Sequence, residues 1–176
     1  MRLLSRSACA LSACVLILAL GGGKAFAADL TATANLADLT GKSVGTVSLL
    51  DTPNGILLKA DLHDLPPGVH GMNIHEVGAC TPPFASAGGH FNPDQTDHGI
   101  LSRDGPHAGD LPNLHVPDNG RLFVEVFDRL VTLAPDSIGS LVEGKRTAIV
   151  ITEAADDYRT DPDGRTGRRI ACGVIK

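Results

Sequence analysis

A chain of 176 residues is long enough for one domain with a sizeable hydrophobic core, and nothing in its sequence indicates a second domain. Its 15 Lys and Arg residues against 20 Asp and Glu residues give a formal net charge of −5, with His taken as neutral. An acidic surface of this kind argues against nucleic acid or an anionic membrane as the main partner.

The N-terminus has the organisation of a secretory signal peptide. Two arginines in the first six residues precede a short apolar run over residues 8–20, and an A-x-A cleavage site ends at Ala27. We predict a cleaved signal peptide over residues 1–27 and a mature domain over residues 28–176. The apolar run is too short to span a membrane comfortably, so we predict an exported protein without a membrane anchor. Cleavage removes three basic residues and no acidic one, which leaves 12 Lys and Arg against 20 Asp and Glu, a net charge of −8.

The cysteines predict one disulfide. Cys9 and Cys14 lie in the predicted signal peptide, so Cys80 and Cys172 are the pair that the mature chain keeps. An even pair in an exported protein favours a disulfide, and the alternative is two free buried thiols. Such a bridge would join the middle of the chain to its last strand.

From Asp29 onwards the chain consists of short strand-like segments. The strand candidates are residues 30–36, 43–50, 55–62, 69–76, 121–127, 146–153 and 170–175. Residues 51–54 have turn chemistry that joins the second and third candidates into a hairpin. Residues 77–119 and 160–167 are predicted as loops, and residues 130–142 are moderately apolar without a clear period. Seven or eight short strands without strong helix signals predict an all-β domain, an antiparallel sandwich or Greek-key barrel.

The most informative loop is the segment His90–Asp110. It carries three histidines and one aspartate, namely His90, His98, His107 and Asp110. Its glycines and prolines exclude a helix or a central strand, because proline lacks an amide donor and glycine is entropically costly there. Each histidine alone could be a solvated loop side chain. Together, three imidazole nitrogens and one carboxylate oxygen predict a metal site of the kind that suits tetrahedral zinc.

Seven stretches of the mature chain form a further pattern, in chain order LPPGVHG (65–71), HE (75–76), AGGHFNP (87–93), HG (98–99), HAGDLPNL (107–114), ADD (155–157) and RIACGVI (169–175). Together they resemble the copper/zinc superoxide dismutase family in its bacterial exported form. They occur in the family's order and cover nearly the whole mature chain. The resemblance implies an eight-stranded antiparallel Greek-key barrel with two long functional loops, a Cys80–Cys172 disulfide and a periplasmic location. It also implies that zinc is held by the four residues of the His90–Asp110 segment.

The copper ligands of the family are only partly matched. Family members have a His-x-His pair after the stretch matched by residues 65–71, and this chain has Asn73 and His75 there. The last copper histidine of the family should precede the Glu-x-Ala-Asp-Asp stretch, where this chain has Thr152. His75 and His90 remain as residual copper ligands. An Asn amide and a Thr hydroxyl are weak neutral donors, so we predict a degraded copper site.

The resemblance implies roles for two further residues. Arg169 matches the arginine that guides superoxide to copper by its charge. Asp156 matches the carboxylate that links a zinc histidine to a copper histidine. His63 and His115 match no ligand position, so we expect them to have structural or solvent-facing roles.

These observations predict an exported superoxide-dismutase-like protein that binds zinc, holds little or no copper and has weak or no dismutase activity. One alternative is a functional copper,zinc superoxide dismutase that converts superoxide to oxygen and hydrogen peroxide. A second is a metal-, haem- or protein-binding module on the same scaffold. A homodimer is a further expectation, because family members are often dimers.

Overall fold

The computed structural model describes residues 30–176, and the predicted signal peptide lies outside the described residues. The strands are β1 (Thr31–Asp38), β2 (Ser43–Thr52), β3 (Gly55–Leu62), β4 (Gly68–His70), β5 (Met72–His75), β6 (Leu114–Val116), β7 (Leu122–Asp128), β8 (Ala148–Thr152) and β9 (Arg169–Val174). Seven of them form one curled antiparallel sheet in the order β5-β8-β9-β1-β2-β3-β7, and β4 pairs with β6. Among these residues the only helical element is a short 3₁₀ turn at Ala85–Ala87, and no helix is long and apolar enough to cross a membrane.

The predicted hairpin is confirmed, and its two strands remain paired as far as the turn. β2 and β3 pair antiparallel without interruption from Gly45 opposite Leu62 to Thr52 opposite Gly55. Gly55 has a φ of 136°, and a Cβ on this residue would lie 2.2 Å from the carbonyl oxygen of Asp128. Only glycine fits this tight approach between the hairpin and β7. Along β3 every second residue is buried, which is the period expected of a strand with one face on the core.

The single strand predicted over residues 69–76 changes partner at Gly71. Its first part, β4, pairs with β6, and its second part, β5, pairs with β8. A Cβ on Gly71 would lie 2.6 Å from Oγ1 of Thr152, so the corner leaves no room for a side chain. If β4 and β5 are counted as one bent strand, the fold has the eight antiparallel strands that were predicted.

The strand β8 is buried on both faces. Ile149 and Ile151 face the main core together with Leu36, Leu49 and other residues of the sheet. On the opposite face, Ala148 and Val150 pack in a second cluster with Phe84, Ala87 and Cys172. The segment 80–88 therefore acts as a cover for β8, and the Cys80–Cys172 disulfide attaches this cover to β9 with a Cα–Cα distance of 5.6 Å. The predicted disulfide is confirmed.

One strand was missed by the sequence analysis. Residues 77–119 were predicted as an uninterrupted loop, but residues Leu114–Val116 form β6. Three residues, of which only Leu114 and Val116 are buried, are too few for a period to show in the sequence. Two parts of the remaining segment, around Phe91 and Gly109, hydrogen-bond along the edge of β5, where they build the site described next.

Candidate metal centre

The segments that carry the predicted ligands lie along the free edge of β5. The N–H of Ile74 donates to the carbonyl of Gly109 at 2.9 Å, and the N–H of Phe91 donates to the carbonyl of Ile74 at 2.8 Å. A third bond runs from the N–H of Gly109 to the carbonyl of Phe91 at 2.8 Å. A Cβ on Gly109 would lie 2.3 Å from the carbonyl oxygen of Ile74, so glycine is required at this crossing. These contacts place His90 and Asp110 side by side at the edge of the sheet.

The four predicted zinc ligands come together in one buried cluster. One donor atom from each of His90, His98, His107 and Asp110 lies within 4.8 Å of the others. Oδ1 of Asp110 is 2.7 Å from Nδ1 of His90 and 3.2 Å from Nδ1 of both His98 and His107. The Nδ1 atoms of His98 and His107 are buried without a hydrogen-bond partner. Three imidazole nitrogens that converge on one carboxylate oxygen, two of them unpaired, fit the requirements of a bound cation.

Two backbone N–H groups bind one carboxylate oxygen of Asp110 and leave the other oxygen to face the histidines. Its Oδ2 accepts hydrogen bonds from the N–H of Gly99 at 2.7 Å and from the N–H of His107 at 3.0 Å. Burial by itself raises the pKa of Asp110, but the hydrogen bonds from His90 and Gly99 and the nearby histidines outweigh it, and the pKa falls to about 2. The carboxyl is therefore ionised at neutral pH, with Oδ1 directed at the three imidazoles.

Asp156 is not one of the four predicted ligands but hydrogen-bonds to one of them, His98. Its Oδ1 accepts a hydrogen bond from Nε2 of His98 at 2.9 Å, which leaves Nδ1 of this histidine as the lone-pair nitrogen that faces Asp110. Its Oδ2 accepts a hydrogen bond from Nδ2 of Asn73 at 3.3 Å. Asp156 therefore connects the cluster to the position at which the resemblance expects a copper histidine.

The two histidines that were predicted to remain as copper ligands are neighbours. The rings of His75 and His90 pack edge to face with centroids 5.0 Å apart. Nδ1 of His75 donates to the carbonyl of Gly88 at 3.0 Å, which leaves Nε2 as its lone-pair nitrogen. Burial, together with the adjacent His90, lowers the pKa of His75 to about 3, so this imidazole is neutral at physiological pH. Both features suit a ligand for a metal ion.

Asn73 and Thr152 are buried and have other partners. Asn73 is 1% exposed, and its amide nitrogen lies 3.3 Å from both Oδ2 of Asp156 and Nδ1 of His90, while its Oδ1 is unpaired. The hydroxyl of Thr152 lies 3.3 Å from the carbonyl oxygen of Gly71 and 3.2 Å from that of Ala154. The single hydroxyl hydrogen is thus directed at backbone carbonyls and not at the imidazoles.

Arg169 lies at the start of β9, opposite Thr152 in the ladder with β8. Its two terminal nitrogens donate to the carbonyls of Phe84 and Gly88, each at 2.7 Å. Partial burial lowers the pKa of Arg169 below its usual range. Because the carbonyl of Gly88 also accepts from His75, this one backbone group connects Arg169 to His75.

His63 and His115, which match no ligand position of the family, do not join the cluster. Nδ1 of His63 lies 3.4 Å from Oδ2 of the exposed Asp64, and His115 is exposed on β6. Conversely, the structure adds Asn113 and Tyr158 to the surroundings of Asp156. Asn113 lies in one of the stretches that carry the family resemblance, but the sequence assigned a role to neither residue, because their contacts join segments more than 40 positions apart.

Comparison with known proteins gives one consistent result. Residues 43–175 match the family model described as copper/zinc superoxide dismutase (SODC). The chain is 44% identical over 152 residues to a protein of Aquifex aeolicus named superoxide dismutase [Cu-Zn] 1, with 85% of this chain and 90% of that protein covered.

Two solved structures extend this likeness to the fold. A crystal structure of a SOD-like protein from Bacillus subtilis superimposes with a TM-score of 0.79 at 36% identity, covering 82% of this chain and 97% of that one. The Cu/Zn superoxide dismutase from Brucella abortus does so with a TM-score of 0.69 at 30% identity, covering 84% and 100%. The chain belongs to the copper/zinc superoxide dismutase family.

Proposed function

We propose that this protein is an exported member of the family that holds zinc in the His90–Asp110 cluster, has a degraded copper site and has weak or no superoxide dismutase activity. The observation that carries the proposal is the contrast between the two halves of the site. The predicted zinc ligands converge on one point, whereas Asn73 and Thr152 occupy two positions at which the resemblance expects copper histidines.

The donor set supports zinc as the metal of the cluster. Imidazole nitrogens and carboxylate oxygens are both ligands that zinc binds, and a site closed by four protein ligands is typical of structural zinc. The bond from His98 to Asp156 is the kind of outer hydrogen bond that fixes the tautomer of a zinc-binding histidine. His90, His98, His107 and Asp110 would therefore hold zinc, and Asp156 would orient His98.

The copper side would hold its metal only loosely. His75 and His90 supply two imidazoles, and His90 is also committed to the cluster through Asp110. The hydroxyl of Thr152 is directed at main-chain carbonyls, and the amide oxygen of Asn73 is a weak donor for copper. Dismutation requires a metal that alternates between two oxidation states, which zinc does not do. Arg169, the residue expected to attract superoxide, would then stand beside a site with little redox-active metal.

Export is part of the proposal. The signal-peptide pattern over residues 1–27 supports it, and so does the Cys80–Cys172 disulfide, because disulfides persist in oxidising compartments such as the periplasm. N-terminal sequencing of protein recovered from the periplasm of an expressing bacterium would test it. A mature N-terminus at Ala28 is expected, and an intact Met1 in the cytoplasmic fraction would contradict it.

Metal analysis of the purified protein tests the central proposal. After loading with one equivalent of zinc and dialysis, then exposure to one equivalent of copper and a second dialysis, we expect one zinc per chain, well below one copper per chain, and a superoxide removal rate close to that of the buffer. A full equivalent of retained copper with rapid superoxide removal would support the alternative of a working copper,zinc enzyme. Retention of neither metal would favour the alternative of a binding module.

A pair of substitutions sharpens this test. The double variant Asn73→His/Thr152→His should bind copper more tightly and gain superoxide dismutase activity, because it restores the imidazoles that the resemblance expects. A double variant Thr40→His/Asn119→His adds two histidines at exposed turn positions and serves as the control, with no expected gain. If the parent protein already removes superoxide rapidly and Asn73→His/Thr152→His is no more active, the natural copper site is functional and the proposal is wrong.

A further inference from the structure

The loop over residues 153–168 closes on the metal-binding loop through a small set of hydrogen bonds. The N–H of His98 donates to Oδ1 of Asp161 at 2.8 Å, and the N–H of Leu101 donates to the carbonyl of Tyr158 at 3.1 Å. The same loop carries Asp156, the partner of His98. The position of this loop therefore determines where the imidazole of His98 points.

Asn113 holds this loop by its main chain. Its Nδ2 donates to the carbonyl oxygen of Asp156 at 2.9 Å, and its Oδ1 accepts the N–H of Asp156 at 2.9 Å. One carboxamide thus satisfies both backbone polar groups of the residue whose side chain orients His98. A carboxamide is suited to this because it offers a donor and an acceptor side by side, whereas a carboxylate offers only acceptors.

Tyr158 completes the arrangement. Its φ of 61° lies in the left-handed region, which costs free energy for a residue with a large side chain. Three contacts enforce this conformation. The N–H of Tyr158 donates to Oδ1 of Asp156 at 2.7 Å, its carbonyl accepts from Leu101, and its hydroxyl oxygen accepts the N–H of Asn113 at 2.6 Å. A backbone outlier that is held from three sides next to a candidate site indicates a constraint with a function.

We infer that Asn113 is a positioning residue for the metal centre, which acts through Asp156 to fix His98 in its ligand orientation. Asn113 follows the ligand Asp110 by three residues, so the same stretch of chain supplies one ligand and aligns another. This inference rests on the proposed zinc function, because it assigns Asn113 a part in metal affinity and not only in folding.

Zinc affinity measured by competition with a chromophoric chelator tests the inference. The variant Asn113→Ala should bind zinc about 10-fold more weakly than the parent protein, the lower end of the range for residues that hydrogen-bond a metal ligand directly, because Asn113 acts through Asp156. The control is Asn119→Ala, which removes an exposed asparagine whose Oδ1 accepts only the nearby N–H of Arg121. Its zinc affinity should equal that of the parent protein.

A second measurement separates positioning from simple stabilisation. If Asn113 only supports the fold, Asn113→Ala lowers the stability of the metal-free and zinc-loaded proteins equally and leaves the zinc dissociation constant unchanged, which would overturn the inference. Should Asn113→Ala fail to fold, Tyr158→Phe keeps the ring and removes only the acceptor for Asn113. A weaker zinc affinity of folded Tyr158→Phe supports the inference, and an unchanged one overturns it. Absence of tight zinc binding in the parent protein would instead refute the proposed function.

Discussion

Replacement of Asp128 by asparagine should stabilise the protein at neutral pH but not at pH 4. Asp128 ends β7 and is 8% exposed. Its Oδ1 accepts the N–H of Leu130 at 2.8 Å, but its Oδ2 is buried without a partner. Burial raises the pKa of Asp128 from 3.8 to about 6, because the ionised form loses its hydration.

The sign and size of the effect follow from this pKa. The folded chain binds the proton more tightly than the unfolded chain, so stability decreases as pH rises from about 4 to about 6 and stays lower above that. Since one pKa unit corresponds to about 1.36 kcal/mol, ionisation of Asp128 in the folded state costs about 3 kcal/mol at pH 7.5. Asparagine retains the acceptor for Leu130 and cannot ionise. We therefore expect a gain of about 1–3 kcal/mol in the free energy of unfolding at pH 7.5, and almost none at pH 4.

Urea unfolding of the metal-free, disulfide-bonded protein between pH 4 and pH 8 measures this difference. Asp157→Asn is the control with the opposite sign. Asp157 is exposed, and hydrogen bonds from the hydroxyl and N–H of Thr160 and the N–H of Arg159 lower its pKa to about 2. Its carboxylate is therefore ionised and stabilises the fold between pH 4 and pH 8, so Asp157→Asn should destabilise the protein throughout this range. An Asp128→Asn variant whose stability relative to the parent is the same at both pH values would refute the reasoning.

Two further perturbations have clear expected outcomes. Gly99→Ala should weaken zinc binding, because the added Cβ would lie 2.0 Å from the carbonyl oxygen of Tyr158 and the φ of residue 99 is 102°. Competition with a chelator measures the loss of zinc affinity. The control is Gly144→Ala, whose Cβ would have nothing within 4 Å, and it should bind zinc as the parent protein does. Replacement of Cys80 and Cys172 by serine should lower the free energy of unfolding in urea by about 4–5 kcal/mol, since the bridge spans 92 positions. A midpoint unchanged from that of the oxidised parent would contradict this.

The strands were predictable where a strand has one buried and one exposed face. β2 and β3 alternate along the chain, and their turn residues mark the boundary between them. The bend at Gly71 was not predictable, because it depends on contact with Thr152, which is 81 positions away. β6 was missed for a related reason, since a three-residue strand is defined by its partner β4 and not by its own pattern.

The candidate metal cluster was predictable because its members are concentrated in 21 positions and are of types that bind metals. Their spacing did not reveal that Asp110 gives one oxygen to two backbone N–H groups and the other to three imidazoles. The connection from Asn113 to Asp156 was equally hidden, because asparagine is a common loop residue and its partner is a backbone group. The burial of Asp128 had no sequence signal, since aspartate at a strand end usually faces solvent.

The two halves of the proposed site depend on the fold in different ways. The residues next to His90 and Asp110 make the backbone hydrogen bonds that cover the edge of β5, so a metal that joins these two side chains also stabilises the sheet. Asn73 lies within the β5–β8 ladder and Thr152 at its end, and the hydrogen bonds of this ladder join backbone atoms, so they do not require histidine at either position. The amide of Asn73 moreover keeps a hydrogen bond to Asp156, on which His98 depends. Under the proposed function, copper ligands can therefore be replaced without loss of the fold, whereas loss of one zinc ligand would leave buried polar partners unpaired.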